Sequence, residues 1–417
     1  MRLMILSTYP ASAEASGGVA RLSAMRDAVA RAGLSPTVVA VVPEGRRSIS
    51  SRECVIPLPA DALSRADWAA PGFHDVATGL AAARTPQVID ALIAIVDQMQ
   101  PDAFMLEQPY LVDLALKVLA ARPALRLVYS AANIEAPLKR ELARLTPQHY
   151  GHPDDLAAEA DRMERLAISR AVLVIAISAA DAQDIKARGG AEIVLAGNGS
   201  VIADEELAVQ SPDPRSPVRY GCLGSGYWPN VEGLAAVVAP SLAFLPPGHR
   251  LETIGRIGEK LICHPAWRRG RAINEARLHD AGFVAGDRLG RFLAAMDALI
   301  LPVFVGGGSM LKTADVLAAG RPALLSRRAA VGYEDVIAAS DGLVSVADSP
   351  EEFRKAWIAL TTQPRDRFWA ISADREALRR NLSWEQRLAL VGPALESVLR
   401  GERPRDGLNP PPQAALA

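Results

Sequence analysis

Apolar residues in the first half of the chain fall in short, nearly uninterrupted runs: LMIL (3–6), PTVVAVV (36–42), DAFMLE (102–107), LRLVYS (125–130) and AVLVIAIS (171–178). Runs of this length suit strands buried on both faces of a sheet. Between them lie stretches of helical period, Val19–Ala32, Val88–Gln100 and Leu156–Ser169. Strands alternating with helices predict a parallel sheet covered by helices. The rhythm breaks at SPDPRSP (211–217), where three prolines among polar neighbours sustain neither a helix nor an inner strand. It then restarts. VRYGCLG reads as a strand, SGYWPN as a loop and VEGLAAVVAPSLAFL as a helix broken at Pro240. RLETIG, ARLHDAGFV and DALILPVFV follow as strands or strand-bearing segments, then LKTADVLAAG as a helix and PALLS as a strand.

Both halves thus open as strand, Gly-containing loop and helix, LMILSTYPASAEASGGVARL in the first and YGCLGSGYWPNVEGLAA in the second. The predicted class is α/β, with two Rossmann-like doubly wound domains facing each other across a cleft. The expected boundaries are 1–210 for an acceptor-side domain, 211–218 for a linker and 219–380 for a donor domain. A C-terminal helix at 381–402 would pack back on the first domain, and a tail at 403–417 would be disordered. Sheets of this kind hold ligands beyond the carboxyl ends of their strands.

Charge and cysteine usage narrow the function. Lys and Arg number 46 against 47 Asp and Glu, a formal charge of -1, so the basic field of a dedicated nucleic-acid binder is missing. Cys54, Cys222 and Cys263 have no CxxC spacing, which argues against a disulfide scaffold or a cysteine zinc site. No apolar run approaches the roughly 18 residues of a membrane span. LMIL is shorter than the apolar core of a signal peptide. A cytoplasmic location is the expectation. No Asp-x-Asp pair occurs, and His149 and His152 have no partner cluster, so no metal is expected.

The chemistry concentrates in LPVFVGGGSMLKTADVLAAGRPALL (301–325). The pattern predicts a strand to Val305, a glycine run and Ser309 as N-cap of a helix over Leu311–Ala319, closed by Gly320 and Pro322. Gly306, Gly307 and Gly308 let backbone approach a ligand closely, and the first amides of the helix make an anion site. Lys312 in the first turn opposes the helix macrodipole unless an anion binds there. Asp315, three residues on, shares its face and can accept from ribose hydroxyls. Gly17 and Gly18 precede the helix beginning at Val19, a place suited to an acceptor or a donor phosphate. Asn133 and Glu135 follow the strand LRLVYS at its carboxyl end; Asn133 would lie on the acceptor side, and Glu135 would touch a substrate sugar as a catalytic candidate.

The 301–325 segment resembles the donor-binding motif of GT-B glycosyltransferases, in particular the family 4-like group. CLGSGYWPNVEGL (222–234) resembles the opening strand and loop of that family's C-terminal domain, and DAGFVAGDRLGRFLAAMDALILP (280–302) its base-binding strand, helix and following strand. NIEAPLKRE (133–141), ISAADAQDI (177–185) and LAGNGS (195–200) match weaker landmarks of its N-terminal domain. Two positions depart from the family: Asp315 stands where Glu is usual, and Ala132 where many relatives have His.

The resemblance implies transfer of a sugar from a nucleotide-sugar to a hydroxyl, with retention, in surface polysaccharide or glycolipid synthesis. The nucleotide-sugar is a substrate, and no cofactor is implied. Lys312 would be catalytic, stabilising the leaving diphosphate together with Gly307, Gly308 and Ser309. Asp315 would hold the nucleoside, and Gly224 and Ser225 would approach the phosphates or the sugar. The acceptor would be a saccharide or lipid-linked, with the protein peripheral on the inner membrane surface through the basic segment WRRGRAINEAR (267–277). Arg256 reads as a solvated loop residue, and Trp228 as a packing residue. Three other readings compete. A nicotinamide dehydrogenase fails because Gly224-x-Gly226 is followed by Pro229 and Asn230 without a third glycine. A catalytically silent nucleotide-binding protein and a GT-B nucleotide-sugar epimerase would share the same fold.

Overall fold

The computed structural model describes residues 1–13, 16–45, 53–67, 70, 73–145, 153–190, 192–202, 212–284, 286–369 and 373–402. His149, His152 and the tail 403–417 lie outside the described residues. The chain divides into two compact units. One is Met1–Gly197 together with the chain from Leu388, and the other is Asn198–Arg387.

Among the described residues the first unit holds seven parallel strands: β1 (Arg2–Ser7), β2 (Ser35–Pro43), β3 (Glu53–Leu58), β4 (Ala103–Glu107), β5 (Arg126–Ala131), β6 (Leu173–Ala176) and β7 (Ile193–Leu195), in the order β3-β2-β1-β4-β5-β6-β7. Every residue of β4 and β6 is buried, as expected of strands covered on both faces. One face packs Met4, Leu6, Phe104, Leu106 and Tyr129 into the unit's main core. The C-terminal helix Val391–Arg400 belongs to this unit, contacting the helix Gly17–Arg31 and β6.

Among the described residues the second unit holds six parallel strands: β8 (Val218–Leu223), β9 (His249–Ile254), β10 (Leu278–Asp280), β11 (Ala298–Leu301), β12 (Ala323–Ser326) and β13 (Val344–Ala347), in the order β10-β9-β8-β11-β12-β13. Of the linker expected at 211–218, residues 212–217 are bound into this unit and Val218 opens β8. Arg365 donates to the carbonyls of Asp213, Ser216 and Pro217 and pairs with buried Asp297.

In each sheet the order of addition reverses once, between β1 and β4 and between β8 and β11. Connections leave such a pair in opposite directions and open a crevice at the carboxyl ends, the usual ligand position in doubly wound sheets. No single helix among the described residues is long and apolar enough to cross a membrane.

Candidate functional site

In the second unit, the loops leaving β8 and β11 both end in a helix start at the reversal point. β11 stops at Leu301, four residues before the expected Val305, and residues 302–310 form an extended loop. Gly306 and Gly308 have φ of 126° and 64°, values a side chain resists, which explains the glycine run. The helix Leu311–Ala318 is capped by Met310, and no side chain caps it. Ser309 is therefore not the N-cap that the sequence pattern predicts. Its carbonyl accepts from the Asn198 amide at 2.9 Å, and the Met310 carbonyl accepts from the Tyr333 hydroxyl at 2.9 Å. Across a trans peptide the next N–H points opposite to its carbonyl. Anchoring these two carbonyls therefore turns the Met310 and Leu311 amides the other way.

Lys312 sits in the first turn of this helix, half-buried. Its ammonium donates to Oδ1 of Asn230, in the first turn of the helix Trp228–Val238 that follows β8. Burial penalises its charge and lowers its pKa to about 8; the neighbouring Cys222 thiol, itself pushed up to about 12 by burial, acts weakly in the opposite direction. The Asn230 amide donates in turn to the carbonyl and the hydroxyl of Ser225, at 3.3 and 3.1 Å. Ser225 is exposed. The Gly224 N–H donates to Ile254 O at 2.9 Å and its carbonyl accepts from the Ile257 N–H at 3.1 Å, so both of its backbone groups are paired within the protein.

Asp315 lies one turn beyond Lys312 and accepts from the Ser200 hydroxyl at 2.7 Å. Asn198 and Ser200 belong to the second unit, whereas Leu195, Ala196 and Gly197 of the same LAGNGS segment belong to the first. Asn198 and Ser200 are held in the second unit by backbone pairing of Ser200 with Leu382 and Trp384. The structure thus brings Gly307, Gly308, Ser309, Lys312, Asp315 and Ser225 to one end of one sheet, with Asn230 and Ser200 as connecting groups. Those two escape a sequence reading. Asn230 registers only as a departure from a dinucleotide fingerprint, and Ser200 lies more than a hundred residues from its partner. The one local signal is an Asn in a helix first turn after a Gly-containing loop.

Trp228 is 41% exposed, not the packing residue expected, and Tyr227 beside it is 52% exposed. Arg256 is exposed and bonds Glu259, in keeping with a solvated loop position.

The sequence-predicted residues of the first unit also lie at strand ends. Gly17 and Gly18 begin the helix Gly17–Arg31, capped by Ser16, whose hydroxyl accepts from the Val19 N–H at 3.3 Å. A Cβ on Gly18 would come within 2.7 Å of the Tyr9 hydroxyl. Asn133 and Glu135 follow β5, but Glu135 is 1% exposed. Its carboxylate accepts from the Tyr110 hydroxyl and, at 3.4 Å, from the Asn133 amide, and lies 3.9 Å from Lys139. Lys139 also pairs with Asp75 at 2.7 Å. The Glu135 N–H donates to the carboxyl of Glu164, which also accepts from Tyr129 and Arg188, each at 3.2 Å. Burial, then the Glu135 carboxylate, raises Glu164 to about 8. Glu135 is thus placed inside a buried network, and its side chain is not presented at the surface where a substrate sugar would meet it.

No protein-family model and no curated protein sequence matches the chain. Solved structures do match its fold. Sucrose-phosphate synthase from Thermosynechococcus elongatus superposes with a TM-score of 0.68 at 15% identity, covering 96% of this chain and 100% of that one. The trehalose-6-phosphate protein from E. coli bound with UDP-2-fluoro glucose gives 0.66 at 13%, covering 97% and 100%. HepE from Anabaena in complex with UDP gives 0.62 at 15%, covering 95% and 100%. At these identities the likeness establishes the fold, which is that of the GT-B glycosyltransferases.

Proposed function

We propose that this chain is a glycosyltransferase of the family 4-like group that moves a sugar from a nucleotide-sugar to a hydroxyl of a saccharide or lipid-linked acceptor, with retention and without a metal. The observation that carries the reading is Lys312. Burying an ammonium at a helix N-terminus is unfavourable twice over, through lost hydration and through the helix dipole. Among the described residues its hydrogen-bond partner is the neutral amide of Asn230. A diphosphate at this point would supply the missing negative charge and meet the amides of the same helix start.

As the bond from the sugar to the diphosphate breaks, negative charge accumulates on the leaving oxygen. A fixed ammonium and fixed amides stabilise that charge more than they stabilise the bound donor, which is the condition for acceleration. Asp315, oriented by Ser200, accepts from the ribose hydroxyls, and Ser225 meets the phosphates or the transferred sugar. UDP in HepE and UDP-2-fluoro glucose in the E. coli structure make UDP the first donor base to test. On this reading the protein is cytoplasmic and works at the inner membrane surface in surface polysaccharide or glycolipid synthesis, with the exposed Arg268, Arg269 and Arg271 facing anionic lipid.

Thermal unfolding of the native protein and Lys312→Met, each with a panel of nucleoside diphosphates and NAD(P), tests the donor assignment. A ligand at 100 times its dissociation constant adds about 2.7 kcal/mol of stability. UDP or another nucleoside diphosphate should stabilise the native protein, and Lys312→Met much less. Stabilisation by NAD(P) alone, or equal shifts in both proteins, would remove the transferase reading.

A further inference from the structure

The group that places Lys312 is itself placed. Asn230 and Lys312 occupy the first turns of two helices that follow β8 and β11, neighbouring strands paired at Tyr220–Ala298 and Gly221–Leu299. The Asn230 side chain spans the gap between those helix starts, 7% exposed. Its orientation follows from the chemistry of its partners. An ammonium can only donate, so Oδ1 faces Lys312, and the two N–H groups are left for the carbonyl and hydroxyl of Ser225.

We infer that Asn230 is a positioning residue for the donor site: its amide holds the Lys312 ammonium and the Ser225 loop in one rigid arrangement. This rests on the diphosphate reading of Lys312 given above. No other side chain type of similar size does both tasks. Leucine neither accepts from the ammonium nor donates to Ser225. Aspartate accepts from the ammonium more strongly but has no N–H for the Ser225 carbonyl, and its charge opposes a diphosphate. Among the described residues, the titratable group facing Lys312 is the Cys222 thiol on β8, which burial keeps neutral across the working pH range. Asn230 is therefore the main adjustable neighbour of the ammonium.

The lysines allow this to be read directly, because the chain has only six, at positions 117, 139, 186, 260, 312 and 355. Selective ¹³C labelling of lysine in the full chain would give one Cε signal that titrates near pH 8 and is absent from Lys312→Met. In Asn230→Leu that midpoint should fall by about one pH unit, and in the near-isosteric Asn230→Asp rise by about one or more. In parallel, UDP binding at pH 7 should weaken about tenfold or more in both variants. Opposite movements from one position are not expected of a merely structural residue. An unchanged Lys312 midpoint in Asn230→Asp would overturn the inference even if Asn230→Leu failed to fold. If the Asn230 variants move the midpoint while Lys312→Met binds UDP as the native protein does, the diphosphate reading fails instead.

Discussion

The carboxyl ends of the two sheets handle charge in opposite ways. In the first unit Glu135, Glu164, Lys139, Asp75 and Arg188 answer one another inside the protein, and Glu135, Glu164 and Lys139 are each 5% exposed or less. In the second unit Lys312 leans on a neutral amide, and exposed Ser225 shares that amide. A charge compensated by protein serves the fold, whereas one left short of compensation at a helix start fits the diphosphate site proposed for Lys312. The contrast also explains why Glu135 and Lys312, two candidates for catalysis in the sequence, have such different standing in the structure.

Removing one cation from each region should give the sharpest separation. Lys139→Met strands a buried carboxylate and should destabilise the first unit by about 3–5 kcal/mol, read from urea unfolding. A loss below roughly 1 kcal/mol would mean the network is not a structural pairing. Lys312→Met should weaken UDP binding by about 1.5–3 kcal/mol, the scale of a charged hydrogen bond, with no loss of ligand-free stability.

The pH dependence carries the same contrast, with signs worked from the shifts. Lys312 has a folded value of about 8, below its ordinary 10.5. The unfolded chain holds more protons between those values, so stability rises with pH across that window, and Lys312→Met should flatten the rise. Glu164 has a folded value of about 8, above its ordinary 4.5. Here the folded chain holds the extra proton, so this group's contribution is complete below 4.5 and is lost as pH rises through 8. Glu164→Gln should remove that slope, a change of up to about 4 kcal/mol between pH 5 and 9; an undiminished slope would place the titration elsewhere. The smallest effect is expected at Asp315→Asn, which should weaken UDP binding about fivefold to tenfold while leaving pyrophosphate binding unchanged. Equal losses for both ligands would mean that Asp315 does not touch ribose.

Interior elements were legible in the chain because their signal is local. β1, β2, β4, β5, β6, β8, β11 and β12 coincide with the apolar runs, and both Gly-containing loops lead into helices, the second starting at Trp228 instead of Val231. Three strands escaped, β3, β7 and β13, and each is a sheet edge. Edge strands are covered incompletely and need no continuous apolar run, and they tolerate proline, as Pro57 in β3 illustrates. The strand expected to reach Val305 stopped at Leu301 because the apolar residues 302–305 belong to a loop, a distinction that composition does not encode.

Sequence by itself settled the class of fold and pointed to the segment proposed to hold an anion, because hydrophobic period and helix-start chemistry act over a few residues. Tertiary structure alone decided which side chains those residues meet. Asn230 reaches Lys312 across 82 positions and Ser200 reaches Asp315 across 115, and neither pairing exists until strand order sets β8 beside β11 and the 198–200 segment is pinned to residues 382–384. The same holds for Glu135: only packing, by closing Tyr110, Lys139 and Glu164 around it, turned a candidate for catalysis into a buried structural acid.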